Sequence, residues 1–228
     1  MDVVNLIYLL DENAGNDTFS IKGENFKYLV KVLRHNMGDK ISFRNRDNIE
    51  VFYVYEIIAI EPRSLSFQLI SSEKLEVKPL RELHLAWCII DIKSIEKVLA
   101  SLNEIGVSDI SFIYCDRSQK NFKIDFKRFN RILEASSQQC GRTSKINFKI
   151  YDNIDKFIKK FPDTKVFDFT DCILKDTSAF KTVLIGCEGG FSLREKDILE
   201  TMEVFRLNTP MVLRSESATI AVASKILL

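Results

Sequence analysis

The sequence predicts an α/β protein in two parts, with a small β-rich domain followed by a larger domain that has a mainly parallel sheet. Two observations support this prediction. In about the first 75 residues, short runs of β-branched and aromatic residues alternate with turn residues. From residue 80 onward, apolar runs of strand length alternate with helical patterns, the order typical of parallel α/β folds. The chain has 228 residues and is 46% hydrophobic, enough for a core in each part.

The first part is predicted to form a small barrel of short strands. Strand-length runs occupy residues 41–43, 51–60 and 65–70. A helix is predicted at residues 25–34, where four apolar side chains recur at positions i, i+3, i+4 and i+7. Residues 71–79 are polar and end in a proline, which makes them the predicted linker. We place the two domains at residues 1–72 and 73–228.

The second part is predicted to alternate between strands and helices. Strands are predicted at residues 83–90, 110–115, 146–150, 165–169 and 182–185. Helices are predicted at residues 93–105, 125–139, 154–161, 193–202 and 218–227. The first of these strands is apolar at nearly every position, which is typical of a strand buried on both faces of a parallel sheet. Trp87 lies in this strand and is expected to belong to the core.

Composition and charge exclude several classes of protein. The formal net charge is +1, so overall charge does not point to a partner. No run reaches 18 apolar residues and the N-terminus has no basic signal region, so we expect no transmembrane helix and no secretory signal. The five cysteines are scattered, odd in number and without a C-x-x-C pair. We therefore expect a cytoplasmic protein with no disulfide bond and no metal site.

A local basic excess marks residues 116–149. This stretch holds nine basic residues and three acidic ones, an excess of six positive charges. Two interpretations of these cations stay open, namely a solvated helix face or contact with the phosphate backbone of a nucleic acid. The interleaved Phe122, Phe126 and Phe129 are expected to point into the core.

A run of glycines follows the predicted strand at residues 182–185. Residues 184–190 read L-I-G-C-E-G-G, and the carboxyl end of a parallel strand is where α/β proteins bind ligands. The run matches neither the dinucleotide pattern G-x-G-x-x-G nor the phosphate-binding pattern G-x-x-x-x-G-K-[ST]. Glu188 would repel phosphate, but it suits the sulfonium, amino and hydroxyl groups of S-adenosylmethionine. The alternative is a tight turn with a solvent-facing acid.

A second group of candidate residues lies at residues 207–218, which read L-N-T-P-M-V-L-R-S-E-S-A. Arg214 and Glu216 are its charged members, flanked by Leu213 and by the small Ser217. Either these charges belong to one site with the glycines, or they form an Arg/Glu pair that caps the last helix.

Together, the two stretches resemble the bacterial ribosomal RNA small subunit methyltransferase E family, which carries L-I-G-P-E-G-G and L-G-x-x-I-L-R-x-E-T-A segments. Three further family patterns have counterparts in the same order: V-L-R…G-D at residues 32–39, E-L-G-V at residues 104–107 and E-Q-x-x-R at residues 138–142. The resemblance therefore spans nearly the whole chain. The chain departs from the family by having Cys187 for proline, Asn208 for glycine and Ser217 for threonine.

The resemblance implies a SPOUT-class fold, in which the last segment of an α/β methyltransferase domain threads a loop to make a deep trefoil knot, after a PUA-like RNA-binding β-barrel. It implies a homodimer with the active site near the dimer interface. It also implies an activity, the S-adenosylmethionine-dependent methylation of N3 of a uridine in 16S rRNA, with the 30S subunit as partner. The uridine must then be unpaired or flipped, because base pairing hides N3.

The same resemblance implies roles for the residues that match the family's motifs. Arg214 would stabilise the negative charge that develops on the uridine, and Glu216 would act as the base or orient Arg214. The residues expected to bind the cofactor are Leu184, Ile185, Gly186, Glu188, Gly189, Gly190, Leu207, Val212, Leu213 and Ser217. The residues expected to contact RNA are Arg34, Arg117, Lys120 and Arg142.

Two other functions remain compatible with these residues, and a third is disfavoured. A related knotted methyltransferase could act on tRNA, and a non-catalytic RNA-binding or ribosome-assembly protein could retain a vestigial cofactor site. A nucleotide-dependent oxidoreductase is disfavoured because the G-x-G-x-x-G pattern is missing. The two histidines, His35 and His84, are expected to be structural or surface residues rather than catalytic ones.

Overall fold

The computed structural model describes residues 7–118, 123–175 and 180–228. The chain divides into two compact units. The first comprises Met1–Val77 with Ser137–Thr143, and the second comprises Lys78–Ser136 with Ser144–Leu228. No helix within the described ranges is long and apolar enough to cross a bilayer.

The first unit is built on a five-stranded sheet. Its strands are β1 (Leu9–Leu10), β2 (Thr18–Lys22), β3 (Lys40–Asn45), β4 (Asn48–Glu61) and β5 (Ser64–Lys74). Their order is β1-β3-β4-β5-β2, antiparallel except for the parallel pair of β1 and β3. Two register shifts, after Val54 and after Ile57, bend the long strand β4 and let the sheet curl. Closure into a barrel stays a prediction, since β1 and β2 end the described order.

Aromatic rings fill the core of this unit. Phe19, Phe43, Tyr55 and Phe67 are buried, with ring centroids 4.8 to 6.5 Å apart. Most pairs meet edge to face, the arrangement favoured by the quadrupoles of the rings. The predicted helix is present but differs in form: α1 covers Gly23–Lys27, and a π-helical turn continues it over Tyr28–Val32.

The second unit contains a six-stranded parallel sheet. Its strands are β6 (His84–Cys88), β7 (Asp109–Ile113), β8 (Asn147–Tyr151), β9 (Lys165–Phe167), β10 (Thr182–Ile185) and β11 (Val204–Phe205). The order is β11-β9-β10-β6-β7-β8, with every neighbouring pair parallel. The predicted α/β fold with a parallel sheet is therefore confirmed. Nearly all of β6 is buried, as its apolar sequence predicts, and Trp87 has no exposed surface.

Five helices in the described part of the chain accompany this sheet. They are α2 (Ile92–Ile105), α3 (Phe126–Cys140), α4 (Ile154–Lys160), α5 (Leu193–Leu199) and α6 (Ser215–Leu227). Asp91 caps α2 and Asn153 caps α4, each by accepting a backbone hydrogen bond from the first turn. α6 packs against α2, β6 and β10. It begins three residues earlier than predicted, so Ser215 and Glu216 are helical.

The polar residues 71–79 are not all linker, which corrects the sequence-based prediction. β5 runs on to Lys74, and its last four residues pair with residues 51–54 of β4. These four residues are exposed, so their polarity marks the solvated end of a strand rather than a loop. The domain boundary placed after residue 72 falls inside this strand, whereas the compact first unit continues to Val77.

The expectation that the chain lacks disulfide bonds is wrong. Cys88 and Cys115 form one, with their Cα atoms 5.7 Å apart. Cys88 ends β6 and Cys115 follows β7, so the pairing of these parallel strands brings together cysteines that are 27 positions apart. Their spacing in the sequence contains no sign of this pairing. Cys140, Cys172 and Cys187 lie outside this disulfide bond.

Candidate active site

A cavity opens at the carboxyl ends of β9 and β10, the edge of a parallel sheet where ligands usually bind. Its volume is about 310 Å³. Its lining comes from the glycine loop (residues 186–192), the Arg214 loop (residues 206–214), the ends of β9 and β10 with residues 168 and 169, and the start of α6. The two stretches singled out in the sequence therefore meet around one space.

The glycine loop makes a tight turn at the cavity. The Gly190 amide donates to the Cys187 carbonyl at 2.9 Å. Gly190 has φ +65°, and a Cβ at this position would meet no atom within 4 Å. Since Gly190 lines the cavity, open space for a ligand lies beside it. Burial raises the pKa of the Cys187 thiol, so Cys187 packs in the loop as a neutral group.

The glycine loop ends in a capping box that starts α5. The Ser192 hydroxyl accepts from the Glu195 amide at 3.2 Å, and the Glu195 carboxylate accepts from the Ser192 amide at 2.9 Å. Glu195 has no exposed surface. The N-terminus of α5 therefore fixes the point at which the chain leaves the cavity.

A chain of hydrogen bonds joins the glycine loop to the start of α6. The Ser215 hydroxyl donates to the Gly186 carbonyl at 2.6 Å and accepts from the Trp87 indole at 2.8 Å. Trp87 and Ser215 are both buried. Ser215 therefore holds the first turn of α6 against the end of β10. The sequence does not predict this role for Ser215, because its partner Trp87 lies 128 positions away along the chain.

Charged side chains of both signs line the cavity. Asp168 and Glu188 supply carboxylates, and Arg206 and Arg214 supply cations. Arg214 is exposed and immediately precedes α6, without a side-chain hydrogen bond that caps the helix. Carboxylates suit the amino and hydroxyl groups of a ligand, whereas an exposed guanidinium suits an anion that arrives from solvent.

Glu216 lies in the first turn of α6 and is half-buried. Its Oε2 atom is buried and has no hydrogen-bond partner among the described residues. A buried carboxylate oxygen without a donor is costly, so such atoms usually have a partner. Glu216 lies outside the described lining of the cavity, so its place in the site stays a prediction.

Most of the predicted cofactor-binding residues line the cavity. These are Ile185, Gly186, Glu188, Gly190, Leu207, Val212 and Leu213. Leu184, Gly189 and Ser217 lie outside its described lining: Leu184 is fully buried in the core and Ser217 is exposed. Which of these residues touch a cofactor stays a prediction.

The cavity also has lining residues that the motifs did not indicate. They include Phe167, Asp168 and Phe169 at the end of β9, and Arg206 just after β11. The sequence does indicate these residues through their position just after predicted strands, because the carboxyl ends of parallel strands share one edge of the sheet. The residues after each predicted strand could therefore have been included with the glycines.

The predicted RNA contacts lie in different surroundings. Arg34 is exposed just after the π-helical turn and has φ 60°. Arg117 is exposed, but its Nη1 atom donates to the Gly189 carbonyl at 2.6 Å. Only 5% of Arg142 is exposed, and burial lowers the pKa of its guanidinium, so it is not a surface cation. Lys120 lies outside the described residues.

The aromatic residues of the basic stretch belong to the core where they are described. Phe129 is fully buried, and the half-buried Phe126 stacks on Phe148 with centroids 5.6 Å apart. Phe122 lies outside the described residues. Among the described residues of this stretch, the exposed cations are Arg117, Lys123, Lys127, Arg128, Arg131, Lys145 and Lys149.

The histidines have structural surroundings. His84 hydrogen-bonds Ser111 at 2.7 Å and packs against Phe161, and burial lowers its pKa. His35 lies 3.1 Å from an Asp39 carboxylate oxygen. Among the described residues, no group of three or more His, Cys, Asp or Glu side chains is arranged to hold a metal ion.

Family models and curated relatives match most of this chain. A model for the RNA methyltransferase domain covers residues 76–227, and one for the RNA methyltransferase PUA domain covers residues 21–70. Ribosomal RNA small subunit methyltransferase E of Helicobacter pylori (strain ATCC 700392 / 26695) is 37% identical over 216 residues, 92% of this chain and 95% of that protein. Ribosomal RNA small subunit methyltransferase E 2 of Borreliella burgdorferi is 30% identical over 93% of this chain and 92% of that protein.

Solved structures share the fold. Ribosomal RNA small subunit methyltransferase E from Neisseria gonorrhoeae, bound to S-adenosyl methionine, matches with a TM-score of 0.72 and 16% identity over 96% of both chains. A Legionella pneumophila protein in complex with the same cofactor matches with a TM-score of 0.73 and 22% identity over 96% of this chain and 95% of that one. The resemblance seen in the sequence motifs is confirmed: this chain belongs to the ribosomal RNA small subunit methyltransferase E family.

Proposed function

We propose that this protein transfers the methyl group of S-adenosylmethionine to N3 of a uridine in 16S rRNA of the small ribosomal subunit. One observation carries the proposal: the glycine loop, two carboxylates and Arg214 surround a single cavity at the carboxyl edge of a parallel sheet. The substrate class follows from the family, whose curated members are named as methyltransferases of small-subunit ribosomal RNA. A ribosomal substrate implies a cytoplasmic protein.

We assign methyl transfer to the second unit and RNA binding to a PUA-like domain in the first unit, with the boundary near Val77 in place of residue 72. The matches at residues 76–227 and 21–70 support this division. A SPOUT-class trefoil knot in the second domain is also part of the proposal. It is supported by the strand order, in which β10 lies between β9 and β6, and by the packing of α6 on β6 and β10.

The residues that line the cavity fit S-adenosylmethionine. The carboxylates of Glu188 and Asp168 suit its α-amino group and ribose hydroxyls, and the apolar Leu207 and Leu213 suit its adenine ring. The open space beside Gly190 lets a ligand approach the backbone closely. When bound, the cofactor supplies an electrophilic methyl carbon attached to a sulfonium.

Arg214 is the residue proposed to stabilise the reacting uridine. Uridine N3 becomes a good nucleophile when its proton leaves, and the negative charge then spreads over O2 and O4. The guanidinium of Arg214 keeps its charge and can donate two hydrogen bonds to such oxygens. Its exposure at the cavity lining leaves it accessible to a base that enters from solvent. A donor in this position is worth about 10²–10³ in rate.

Glu216 is the proposed proton acceptor, acting directly or through water. The family resemblance and an Oε2 atom without a donor among the described residues support this role, whereas Glu216 itself lies outside the described lining of the cavity. The alternative role for Glu216 is to orient Arg214, two positions before it in the sequence. General-base assistance is worth about 10²–10⁴ in rate, and loss of an orienting group would lower the rate as well. A pH–rate profile therefore separates the two roles better than removal of the carboxylate does, because only a base contributes its own titration to the profile.

RNA is proposed to contact exposed cations of each unit. In the first unit this is Arg34, and in the second unit these are the exposed cations of residues 123–149, with Lys120 retained as a prediction. Arg117 is set apart from this surface because its guanidinium already bonds the Gly189 carbonyl. Contacts of this kind neutralise phosphates and position the RNA without reading its sequence. We leave Arg142 out of this surface because it is buried.

A homodimer is also proposed. Three apolar side chains of the cavity lining are largely exposed: Phe169 at 79%, Met211 at 66% and Val212 at 76%. Exposed apolar side chains that cluster at a site favour burial against a partner, and a second copy of the chain is the partner that the resemblance implies. Analytical ultracentrifugation of the wild type and Val212→Asp tests this, with a shift to monomer expected for the variant.

The experiment that tests the proposed function combines the protein, methyl-labelled S-adenosylmethionine and 30S subunits that lack the modification. The rRNA is digested and its nucleosides are identified by mass spectrometry. We expect 3-methyluridine with the wild type and a strongly reduced yield with Arg214→Ala. A parallel reaction with unmodified tRNA tests the alternative substrate, and methylation of tRNA in place of rRNA would favour the tRNA enzyme. No product in either reaction, together with no cofactor binding by calorimetry, would favour a non-catalytic RNA-binding protein.

A further inference from the structure

The segment after β7 lies directly against the glycine loop. Arg117, in this segment, donates from Nη1 to the Gly189 carbonyl at 2.6 Å. A Cβ on Gly189 would lie 3.3 Å from both Cβ and Cδ of Arg117, closer than most such contacts. The missing side chain at Gly189 therefore makes room for Arg117, whereas Gly190 is the glycine beside open space.

The backbone next to Arg117 is held by α5. The Asp116 amide donates to Oε1 of Glu195 at 2.8 Å, and the other carboxylate oxygen of Glu195 accepts from the Ser192 amide. The Asp116 carboxylate accepts from the Ser192 hydroxyl at 2.5 Å and from Arg194 at 3.1 Å. The fully buried Glu195 carboxylate therefore bonds both the segment after β7, at Asp116, and the end of the glycine loop, at Ser192.

The other side of Arg117 is anchored as well. The Ser118 hydroxyl accepts from the Cys115 amide at 3.1 Å, and Cys115 is bonded to Cys88 at the end of β6. Ser118 and Cys115 are both buried. Residues 115–118 are therefore a fixed support on both sides of Arg117, from which its side chain reaches across to the glycine loop.

We propose that Arg117 is a positioning residue for the S-adenosylmethionine site, rather than primarily a contact for RNA phosphates. Its guanidinium fixes the Gly189 carbonyl, and this sets the turn whose next residue, Gly190, borders the open cavity. This inference rests on the proposed function, because it names that cofactor as the ligand of the loop. A charged donor on a carbonyl is a stronger tie than a neutral one, so its loss should be measurable.

The test compares Arg117→Ala with Arg117→Lys and with Arg63→Ala, a matched control that removes an exposed arginine of the first unit. Calorimetry measures the affinity for S-adenosylmethionine without RNA, and filter binding measures the affinity for 16S rRNA at fixed salt. Steady-state kinetics separate kcat from the KM of each substrate. Peptide mass spectrometry follows the rate at which iodoacetamide alkylates Cys187, which is buried in the glycine loop. This rate measures how often the loop opens, and it can be measured without the cofactor.

For Arg117→Ala we expect about a tenfold weaker affinity and a similar rise in the KM for S-adenosylmethionine, with kcat and RNA affinity nearly unchanged. Cys187 should be alkylated several-fold faster, Arg117→Lys should recover part of both losses, and Arg63→Ala should match the wild type. Unchanged cofactor affinity and unchanged Cys187 alkylation would overturn the proposal, all the more so if RNA affinity fell. If the wild type bound no S-adenosylmethionine, the proposed function would fail, and Cys187 alkylation alone would decide whether Arg117 positions the loop.

Discussion

The two loops that surround the cavity differ in how the rest of the protein holds them. The glycine loop is tied by groups that lie outside it, since Ser215 bonds the Gly186 carbonyl and Arg117 bonds the Gly189 carbonyl. Its apolar residues are buried, with Cys187 8% and Phe191 3% exposed. The glycine loop therefore packs into the hydrophobic core while it also lines the cavity.

Beyond Arg206, whose backbone bonds Cys172 and Leu174, the hydrogen bonds of the Arg214 loop lie mostly within the loop. The Thr209 amide donates to the Leu207 carbonyl at 2.9 Å, and the Met211 amide donates to the Thr209 hydroxyl at 3.2 Å. Met211 and Val212 are largely exposed. A segment with few buried contacts opens at low free-energy cost, so we expect this loop to adjust when a cofactor, RNA or second subunit arrives.

This contrast indicates that the proposed site pairs a preformed wall with an adjustable one. Changes in the glycine loop should then damage binding and stability together, because its contacts are shared with the core. Changes in the Arg214 loop should alter turnover or assembly while the fold stays intact. Substitutions in each wall can test this division, and we expect the most severe loss in the glycine loop.

Gly190→Val should abolish measurable binding of S-adenosylmethionine. A β-branched residue is strained at φ +65°, and its side chain would enter the open space beside the cavity. Gly23→Val is the matched control, because Gly23 has φ +68° and open space around it but does not line the cavity. Urea unfolding should show comparable losses of stability for both variants, while calorimetry should show lost binding only for Gly190→Val. Equal cofactor affinity in the two variants would contradict a preformed glycine wall.

Arg214→Ala should lower kcat by about 10²–10³ and leave the affinity for S-adenosylmethionine nearly unchanged. The reason is that Arg214 is exposed on the adjustable wall, where we propose that it serves the reacting uridine rather than the fold. Arg214→Lys keeps the charge but loses the planar pair of donors, so its activity should lie between the two. Single-turnover methylation of 30S subunits measures the effect, and wild-type turnover by Arg214→Ala would remove this residue from the mechanism.

Ser215→Ala should lower the free energy of unfolding by about 1–3 kcal/mol, because the buried Trp87 indole would lose its acceptor and the Gly186 carbonyl would lose its donor. Ser217→Ala is the control on the same helix, where the exposed side chain should change stability by less than about 0.5 kcal/mol. Urea midpoints of the two variants make the comparison. Similar midpoints would show that the anchor of the glycine loop contributes little.

The sequence predicts which residues form the two loops better than it predicts which contacts hold them. The site is indicated by residue types and their order alone: glycines follow an apolar strand, and a segment with Arg214 and Glu216 comes after them. Such residues can be recognised in the sequence because a tight turn favours glycine and a polar ligand favours charged side chains. The helices and central strands follow from periodicity. What holds the glycine loop does not follow, since Ser215 meets Trp87 and Arg117 meets Gly189 only after distant segments pack.

Long-range packing also explains the predictions that differ from the structure. The disulfide bond between Cys88 and Cys115 depends on the pairing of β6 with β7, which spacing in the sequence does not show. The polar end of β5 resembles a linker because a solvated strand and a loop have similar compositions. Arg142 is charged and lies in a basic stretch, yet it is buried. In each case the neighbour, rather than the residue itself, decides the role.

Thr209→Ala should have the smallest effect, and it is the sharpest check on the adjustable wall. Its hydroxyl accepts from the Met211 amide at 3.2 Å in an exposed hydrogen bond, where water can replace a lost partner. We expect a change of less than about 0.5 kcal/mol in the free energy of unfolding, against the larger loss for Ser215→Ala measured in the same urea series. Hydrogen exchange of the Met211 amide should be fast already in the wild type and barely faster in the variant. A loss as large as that of Ser215→Ala, or slow exchange at Met211, would show that both walls of the cavity are fixed, and that ligand binding needs no adjustment of the Arg214 loop.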